Sequence, residues 1–428
     1  MYQNIFDEVV DILHNDYAGC LDKKGWDFPG FYRDQIKLKN DINDAEFVKI
    51  VQDYLLDFKD LHMNFKQAHA NERVDVGFSV RRYNDLLYIT ASGIEKRVEP
   101  GEAILSLDGI TVPELVEVHA RELMEKEAER ENWIPIILCY KQAKVKGKNG
   151  ILYTLDISKF EKESTDPEHS LKVLEEDSLL LTLTDFMDHN AIAALIKENN
   201  TLLTNAEKLI IDVRVNKGGS DLAYFDLLPY LFEGESVDIN SFDDGIMLTN
   251  CTGRNVELRK KLLKRAFSSI EDPTTRNQID MLIEVLEENK GKGFVELDFA
   301  EMIESLIMKT KPGPKNVIIL TDVYCGSSGD SFVEICKNSS KVTVIGRPTL
   351  GLNDYANIAV MDWENKFELW YPTSKLSKVD EGKGMSGIGI QPDIYIPWTP
   401  EHINEDIDLT KALELAGQRD GSTVPAQK

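Results

Sequence analysis

Two adjacent serines follow a run of apolar residues and could supply a nucleophile. The run NVIILTD ends shortly before Gly326–Asp330 (GSSGD), and the apolar segment SFVEIC comes directly after. The pattern predicts a buried strand, a turn and a helix, so Ser327 and Ser328 fall at the carboxyl end of a strand and near a helix N-terminus, which favours negative charge. The G-x-S-x-G signature of a nucleophile elbow is absent, and Gly-Ser-Ser-Gly is also ordinary turn sequence, so a plain turn is the alternative.

A Gly-Gly pair and a histidine could complete an acyl-transfer site. Gly218 and Gly219 end the run LIIDVRVNKGG, and glycines leave backbone N–H groups uncovered, as an oxyanion site requires. The alternative for this pair is a strand-to-helix turn that needs a positive φ. Among the seven histidines, His62 in FKDLHMNF falls at the predicted end of a helix, and it could act as the base that a serine nucleophile needs.

Four segments, in order, resemble the tail-specific (carboxy-terminal processing) proteases and their relative, the tricorn protease. They are LDFKDLH from Leu56, GEAILSLDG from Gly101, LIIDVRVNKGG, and SSGD followed by VIGRPTLG and GIGIQPDI. The resemblance covers most of the chain from about residue 50 to residue 396. It implies a serine endopeptidase or carboxy-terminal processing peptidase, with an α/β fold whose mixed β-sheet core contains βαβ units and is ClpP/crotonase-like.

The same resemblance assigns roles to the residues of the serine turn. It implies that Ser327 is the nucleophile and that Asp330 is the acidic fourth residue of a Ser-x-x-(Glu/Asp) pattern. The backbone N–H of Ser328 would then form the oxyanion hole together with that of Gly218 or Gly219. Hydrolysis of peptides or unfolded C-terminal tails would proceed through an acyl-enzyme on Ser327.

The lysine that serves as the base in many members of the family is missing from this sequence. They use a lysine directly after a Thr-aromatic-Gly turn, but here Leu352 follows the corresponding Thr-Leu-Gly. The tricorn-like branch uses a histidine instead, and His62 falls where that branch has it. A displaced lysine, Lys217 or Lys375, is the alternative.

The group that supports the histidine stays open. In the tricorn-like branch a hydroxyl and a carboxylate assist the base, and the carboxylate lies just before the Gly-x-Gly of the Pro-Asp segment. This sequence has Ser386 at that position; Glu381 is the nearest carboxylate, and Asp60 is another candidate.

The segment from Asp75 to Leu115 resembles a PDZ-type module, which in this family captures a C-terminal peptide by strand addition. Gly77 and Phe78 would belong to its carboxylate-binding loop; the alternative is a small β domain with no ligand role. Two other functions stay open: a catalytically weak or inactive peptide-binding protein on the same fold, supported by the missing lysine, and an esterase-like serine hydrolase.

Composition excludes some functions. The formal net charge is -25, with 74 acidic against 49 basic residues, which argues against nucleic-acid binding. We expect no membrane span, no signal peptide and a cytoplasmic setting, because no apolar run is long enough to span a bilayer and the N-terminus lacks a basic region. The five cysteines are scattered, so neither a disulfide framework nor a zinc site is expected. No metal or organic cofactor is implied, the expected partner is a peptide or protein C-terminal tail, and the oligomeric state stays open.

The periodicity of apolar residues predicts the elements that must position these groups. It predicts a helical segment over residues 1–70, short strands and a helix over 71–130, and an α/β segment over 131–428 with a helical insertion at about 252–311. The resemblance implies that residues 71–130 are a PDZ-like domain and that residues 131–428 are the protease core. NVIILTD, a helix and KVTVIG form a βαβ unit with parallel strands, and LIID is a further buried parallel strand. Asp108-Gly109 is a hairpin turn between two apolar runs.

Overall fold

The computed structural model describes residues 1–39, 42–68, 74–162, 166–174, 178–242, 245–267, 273–298 and 307–418. Both helices and sheets are present, which confirms the predicted α/β class. The chain forms two compact units, each built from three stretches of sequence. Unit 1 contains Met1–Asn71, Asn240–Leu306 and Leu352–Ser386, and unit 2 contains Glu72–Ile239, Ile307–Gly351 and Gly387–Lys428. The domain boundaries inferred above from periodicity stay predictions.

The helices and strands have the following bounds. The α-helices are α1 (Tyr2–Asn15), α2 (Pro29–Leu38), α3 (Asp44–Leu55), α4 (Val112–Val118), α5 (Ala120–Leu123), α6 (Ile134–Ile137), α7 (His189–Glu198), α8 (Asn200–Asn205), α9 (Leu228–Leu231), α10 (Gly253–Phe267), α11 (Pro273–Glu288), α12 (Ser328–Cys336) and α13 (Ile407–Gln418). The strands are β1 (Asn64–Gln67), β2 (Val74–Asp75), β3 (Phe78–Tyr83), β4 (Leu86–Ser92), β5 (Ala103–Leu107), β6 (Ile110–Thr111), β7 (Gln142–Lys146), β8 (Leu152–Asp156), β9 (Phe160–Glu161), β10 (His169–Val173), β11 (Ser178–Leu183), β12 (Lys208–Asp212), β13 (Ser236–Asp238), β14 (Met247–Asn250), β15 (Phe294–Glu296), β16 (Ile307–Lys309), β17 (Asn316–Thr321), β18 (Val342–Gly346), β19 (Tyr355–Trp363), β20 (Phe367–Leu376) and β21 (Ile394–Tyr395).

A six-stranded sheet of unit 2 carries the serine turn at the end of a central strand. Its order is β10-β11-β12-β17-β18-β21, and only the β10–β11 pair is antiparallel among these strands. Every residue of β17 is buried, which explains its continuous apolar sequence. The chain leaves β17, forms α12 and returns as β18, parallel to β17. The predicted βαβ unit and the predicted parallel strand LIID are therefore confirmed.

A second sheet of unit 2 is antiparallel. Its strands β3 to β6 lie in the region predicted to be PDZ-like, whereas β7 and β8 lie in the region predicted to be the protease core. Its order is β3-β4-β5-β7-β8, with β6 paired to β5. Asp108 and Gly109 connect β5 to β6 with φ values of 47° and 85°, which is the combination that a tight two-residue hairpin needs. The predicted hairpin is confirmed.

Unit 1 is organised around a five-stranded sheet that joins distant parts of the sequence. Its order is β1-β20-β14-β15, with β19 on β20. An aromatic core that includes Phe6, Phe47 and Phe65 covers this sheet. The insertion predicted at 252–311 contains α10 and α11, while its residues 268–272 and 299–306 lie outside the described part of the chain. Within the described ranges, no helix has the length and apolar character that crossing a membrane requires.

Candidate active site

The serine turn holds Ser327 in a backbone conformation that side-chain-bearing residues rarely adopt. Ser327 lies between β17 and α12 with φ 58° and ψ −123°. Its N–H donates to Asp330 Oδ2 at 2.8 Å, and the N–H of Gly351 donates to Asp330 Oδ1 at 2.9 Å. Asp330 is fully buried, so one carboxylate clamps the turn from two sides. Such strain is a known property of nucleophile turns, and here it has an identifiable anchor.

Gly218 lies directly against this turn. A Cβ built on Gly218 would lie 2.6 Å from Ser327 Cβ and 3.0 Å from the Ser328 backbone nitrogen, and Gly218 has a φ of +76°. Only glycine satisfies both conditions. The N–H of Gly218 donates to Asn216 Oδ1 at 2.9 Å, so this predicted oxyanion donor already has a partner.

The backbone groups of Gly219 are not used in the bridge that its neighbours make to Phe186. Gly219 forms a parallel bridge with Phe186 in which the C=O of Gly218 accepts from Phe186 and the N–H of Ser220 donates to Phe186, both at 2.9 Å. This pattern leaves the C=O and N–H of Gly219 on the side away from Phe186. The C=O of Gly219 accepts from Ser328 Oγ at 2.8 Å, so Gly219 and Ser328 are neighbours.

The backbone N–H of Ser328 belongs to the first turn of α12, where N–H groups have no acceptor within the helix. Ser327, Ser328, Gly218 and Gly219 thus form one group in unit 2, called here the nucleophile cluster. Cys325 lies beneath it, and burial followed by the charge of Asp330 raises the pKa of its thiol well above the ordinary value. The thiol therefore stays neutral and does not compete as a nucleophile.

His62 has a carboxylate beside it in unit 1. It follows a short 3-10 turn and Lys59, which is left-handed with φ 48°. The backbone N–H of His62 donates to Asp60 Oδ1 at 2.9 Å, and the same oxygen lies 3.9 Å from His62 Nδ1. Nδ1 is buried and, among the described residues, has no hydrogen-bond partner. A proton on Nδ1 would leave Nε2 as the basic nitrogen.

Asp60 is held in place by residues that sequence reasoning missed. Tyr17 donates its hydroxyl hydrogen to Asp60 Oδ2 at 2.7 Å, and Lys23 Nζ donates to the Tyr17 oxygen at 2.9 Å. Both residues lie in the connection between α1 and α2, which carries no motif. We call Lys23, Tyr17, Asp60 and His62 the histidine cluster.

The other candidate helpers have different surroundings. The Ser386 N–H donates to Asp354 Oδ2 at 2.7 Å, so a buried aspartate that the sequence did not single out holds the chain there. Glu381 is 55% exposed in its side chain and pairs with Lys383 at 2.7 Å. Neither observation gives these side chains a link to His62.

The two alternative lysines, Lys375 and Lys217, have different surroundings. Burial lowers the pKa of Lys375, but hydrogen bonds to Asp380 and Asp22 raise it by more, so its pKa lies above the ordinary value. The ammonium lies 2.6 Å from Asp380 and 3.1 Å from Asp22. A protonated, ion-paired lysine cannot accept a proton from a serine. Lys217 belongs to the loop that ends in Gly218 and Gly219, and its N–H donates to the Thr184 C=O at 3.1 Å.

Gly77 and Phe78 border a cleft in unit 2. Gly77 has φ +77°, and its N–H donates to Asp75 Oδ1 at 2.7 Å. The cleft has a volume of about 210 Å³ and is also lined by Ser79, Ala91, Ser92, Gly93, Ile94, Glu161 and Lys162. Phe78 begins β3, which lies at the end of its sheet order. In the described part of the chain, no group of three or more His, Cys, Asp or Glu residues is arranged to hold a metal ion.

Comparison with known proteins gives the family. Residues 177–396 match the model of Peptidase family S41, which is more than half of the chain. The chain therefore belongs to peptidase family S41 and is a peptidase, and the resemblance to tail-specific proteases seen in its motifs is confirmed at that level. The finer placement in the tricorn-like branch stays a prediction.

The solved structure of mature CPAF supports the fold. Mature CPAF is similar over 99% of this chain and 99% of its own, with 15% sequence identity and a TM-score of 0.67. The tricorn protease matches 98% of this chain and 37% of its own at 14% identity and a TM-score of 0.46. The photosystem II D1 C-terminal processing protease matches 94% of each chain at 14% identity and a TM-score of 0.44. No curated protein matches the sequence.

Proposed function

We propose that this S41 peptidase is a serine peptidase whose nucleophile is Ser327 and whose general base is His62. The observation that carries the proposal is the turn at Ser327, strained at φ 58°, clamped by a buried carboxylate and closed against a glycine that tolerates no side chain. Structural turns rarely combine these features, because strain persists only where the surroundings enforce it. The proposal requires that His62 Nε2 can reach hydrogen-bond distance of Ser327 Oγ.

The reaction follows from the groups in the two clusters. His62 Nε2 takes the proton of Ser327 Oγ as the oxygen attacks the scissile carbonyl carbon, and backbone N–H groups stabilise the oxyanion that forms. The C–N bond then breaks, and His62 returns the proton to the leaving amine. Water hydrolyses the acyl-enzyme by the same sequence and restores Ser327. Among the candidate donors, Ser328 and Gly219 are favoured over Gly218, whose N–H is bound to Asn216.

We propose Asp60 as the helper of the base. Its carboxylate accepts the backbone N–H of His62 and lies 3.9 Å from Nδ1, whereas Ser386 and Glu381 show no such contact. An aspartate in this position fixes the imidazole tautomer and stabilises the imidazolium that forms during catalysis.

The substrate class that we propose is a peptide or an unfolded C-terminal tail. The cleft beside Gly77 and Phe78, next to strand β3 at the end of its sheet, is suited to binding an extended peptide by strand addition. The free terminal carboxylate of the substrate would bind in that cleft. One observation favours a weak or inactive peptide-binding protein instead: the Gly218 N–H, one of the predicted oxyanion donors, is already occupied.

Labelling with a fluorophosphonate probe tests the nucleophile. We expect the probe to label Ser327 in the wild-type protein. Ser327→Ala should not be labelled, and His62→Ala should be labelled more slowly than the wild type. Ser340→Ala is the matched control, because Ser340 is an exposed serine that pairs with Glu233. Absence of labelling in folded wild-type protein would favour the binding-protein alternative.

A substrate panel then tests the class. Peptides with a free C-terminus are expected to be cleaved faster than the same peptides with an amidated C-terminus, and both faster than simple esters. Equal rates for free and amidated peptides would remove the role proposed for Gly77 and Phe78. Turnover of esters alone would identify the esterase-like alternative.

A further inference from the structure

We propose that Tyr17 and Lys23 are positioning residues that act on the base His62 through Asp60. The inference rests on the role proposed above for His62. It assigns function to a stretch of the chain, between α1 and α2, that carries no recognisable motif.

Tyr17 is placed so that its hydroxyl can do little other than bind Asp60. It is fully buried, and its ring meets Phe58 edge-on at a centroid distance of 5.9 Å and Tyr355 at 5.7 Å. A Cβ on Gly19 would lie 2.5 Å from the Tyr17 ring, so the chain bends closely around it. The ring cannot rotate away from Asp60 without disturbing this packing.

Tyr17 remains a hydrogen-bond donor. Burial, followed by the negative charge of Asp60, raises the pKa of the Tyr17 phenol well above its ordinary value. The hydroxyl therefore keeps its hydrogen and gives it to Asp60 Oδ2 at 2.7 Å. Asp60 is then fixed at both oxygens, because Oδ1 accepts the backbone N–H of His62.

Lys23 strengthens this arrangement. Lys23 is only 5% exposed, and its ammonium donates to the Tyr17 oxygen at 2.9 Å and lies 4.0 Å from the centre of the Tyr355 ring. Burial lowers the pKa of Lys23, while the carboxylates of Asp60, Asp22 and Asp354 oppose that shift. A cation that binds the oxygen of a hydroxyl makes its hydrogen a stronger donor, so Lys23 tightens the bond from Tyr17 to Asp60.

The consequence concerns the proton on His62. Asp60 Oδ1 lies 3.9 Å from Nδ1 and can shorten this contact only if the carboxylate keeps its orientation. Without the Tyr17 hydroxyl, the Asp60 carboxylate can turn, and it then no longer favours the His62 tautomer in which Nε2 is basic. The loss would act on the chemical step and leave substrate binding unchanged.

A double-mutant cycle tests this link. Tyr17→Phe is expected to lower kcat by roughly 10- to 100-fold, the effect of losing a hydrogen bond to a charged group, with KM unchanged. In protein that already carries Asp60→Asn, Tyr17→Phe is expected to have no further effect, because its target is gone. Lys23→Met is expected to act in the same direction and to show the same dependence on Asp60.

Tyr54→Phe is the matched control. Tyr54 is equally buried, packs on the same Phe58 ring and donates its hydroxyl to a different carboxylate, Asp27 Oδ2, at 2.6 Å. It is expected to leave kcat unchanged. Urea unfolding of each variant shows whether it folds, and if Tyr17→Phe does not fold, Lys23→Met completes the cycle with Asp60→Asn.

The outcomes separate the two proposals. If His62→Ala keeps wild-type turnover, the proposed function is wrong. Two other results, obtained while His62→Ala is inactive, would show that only the link through Tyr17 is wrong. One is that Tyr17→Phe has the same kcat as Tyr54→Phe, and the other is that the losses of kcat from Tyr17→Phe and Asp60→Asn multiply in the double variant.

Discussion

Replacing Gly218 by alanine should disable the nucleophile turn while leaving most of the fold intact. The added Cβ would lie 2.6 Å from Ser327 Cβ and 2.7 Å from the Gly326 carbonyl oxygen. Ordinary contact begins at 3.4 Å, so full relief of the clash requires Ser327 or the Gly218 backbone to move by 3.4 − 2.6 = 0.8 Å. The Ser327 backbone has little freedom to do so, because Asp330 holds its N–H.

The expected magnitude has two parts. Alanine in the left-handed region costs about 1–2 kcal/mol wherever it occurs. The displacement adds a catalytic cost, because a misplacement of about 1 Å can lower a rate by roughly 100-fold. Gly150→Ala isolates the first part, since Gly150 has φ +81° and no atom within 4 Å of the added Cβ.

Two measurements decide the outcome. Urea unfolding should show a loss of stability in both variants, larger in Gly218→Ala because of the clash. Fluorophosphonate labelling should slow only in Gly218→Ala. Labelling of folded Gly218→Ala at the wild-type rate would show that Gly218 does not constrain the nucleophile and would refute the reasoning.

Two further predictions concern carboxylates. Asp60→Asn should lower kcat by roughly 10²- to 10⁴-fold with KM unchanged. Asp27→Asn, the control, removes an aspartate bound to Tyr54 and should leave kcat unchanged. Equal losses of kcat in the two variants would contradict the role of Asp60. Burial raises the pKa of Asp408, but the nearby His402, whose Nε2 lies 3.5 Å from Oδ1, and two hydrogen bonds from Arg347 lower it by more. The ionised form of Asp408 therefore stabilises the fold above about pH 4, and this contribution is lost as the pH falls through the folded-state pKa. Asp408→Asn should therefore cost about 3–5 kcal/mol at pH 7 in urea unfolding, and the difference from wild type should shrink towards about pH 2; a constant difference would contradict this.

The elements that the sequence predicted correctly are those encoded by local patterns. The continuous apolar run of β17 predicted a buried parallel strand, and Asp108-Gly109 predicted a hairpin from two residues that accept positive φ. The same strand pattern placed Ser327 at the carboxyl end of β17. In each case the relevant interactions involve residues near one another in sequence or a regular repeat.

Pairing between distant segments was not predictable in the same way. Strand β1 pairs with β20 although Asn64 and its partner Trp370 are far apart in sequence, and β20 also pairs with β14. Periodicity shows that these segments are strands but does not name their partners. The same limit applies to Asn216, which binds the Gly218 N–H: glycines in a loop suggest free donors, and only the fold shows which of them is occupied.

The histidine cluster shows most clearly why residue types do not settle a site. Unit 1 contains two Tyr–Asp–His groups: Tyr17, Asp60 and His62, and Tyr54, Asp27 and His14. In the second group Asp27 bonds to His14 Nε2 at 2.8 Å, and the His14 side chain is 44% exposed. In the first group, Asp60 Oδ1 lies 3.9 Å from His62 Nδ1, and this nitrogen is buried. The role proposed for His62 therefore requires Asp60 to bond to Nδ1 and not to Nε2, and the proposed function of the hydrogen bond from Tyr17 is to hold the Asp60 carboxylate in the orientation for that contact.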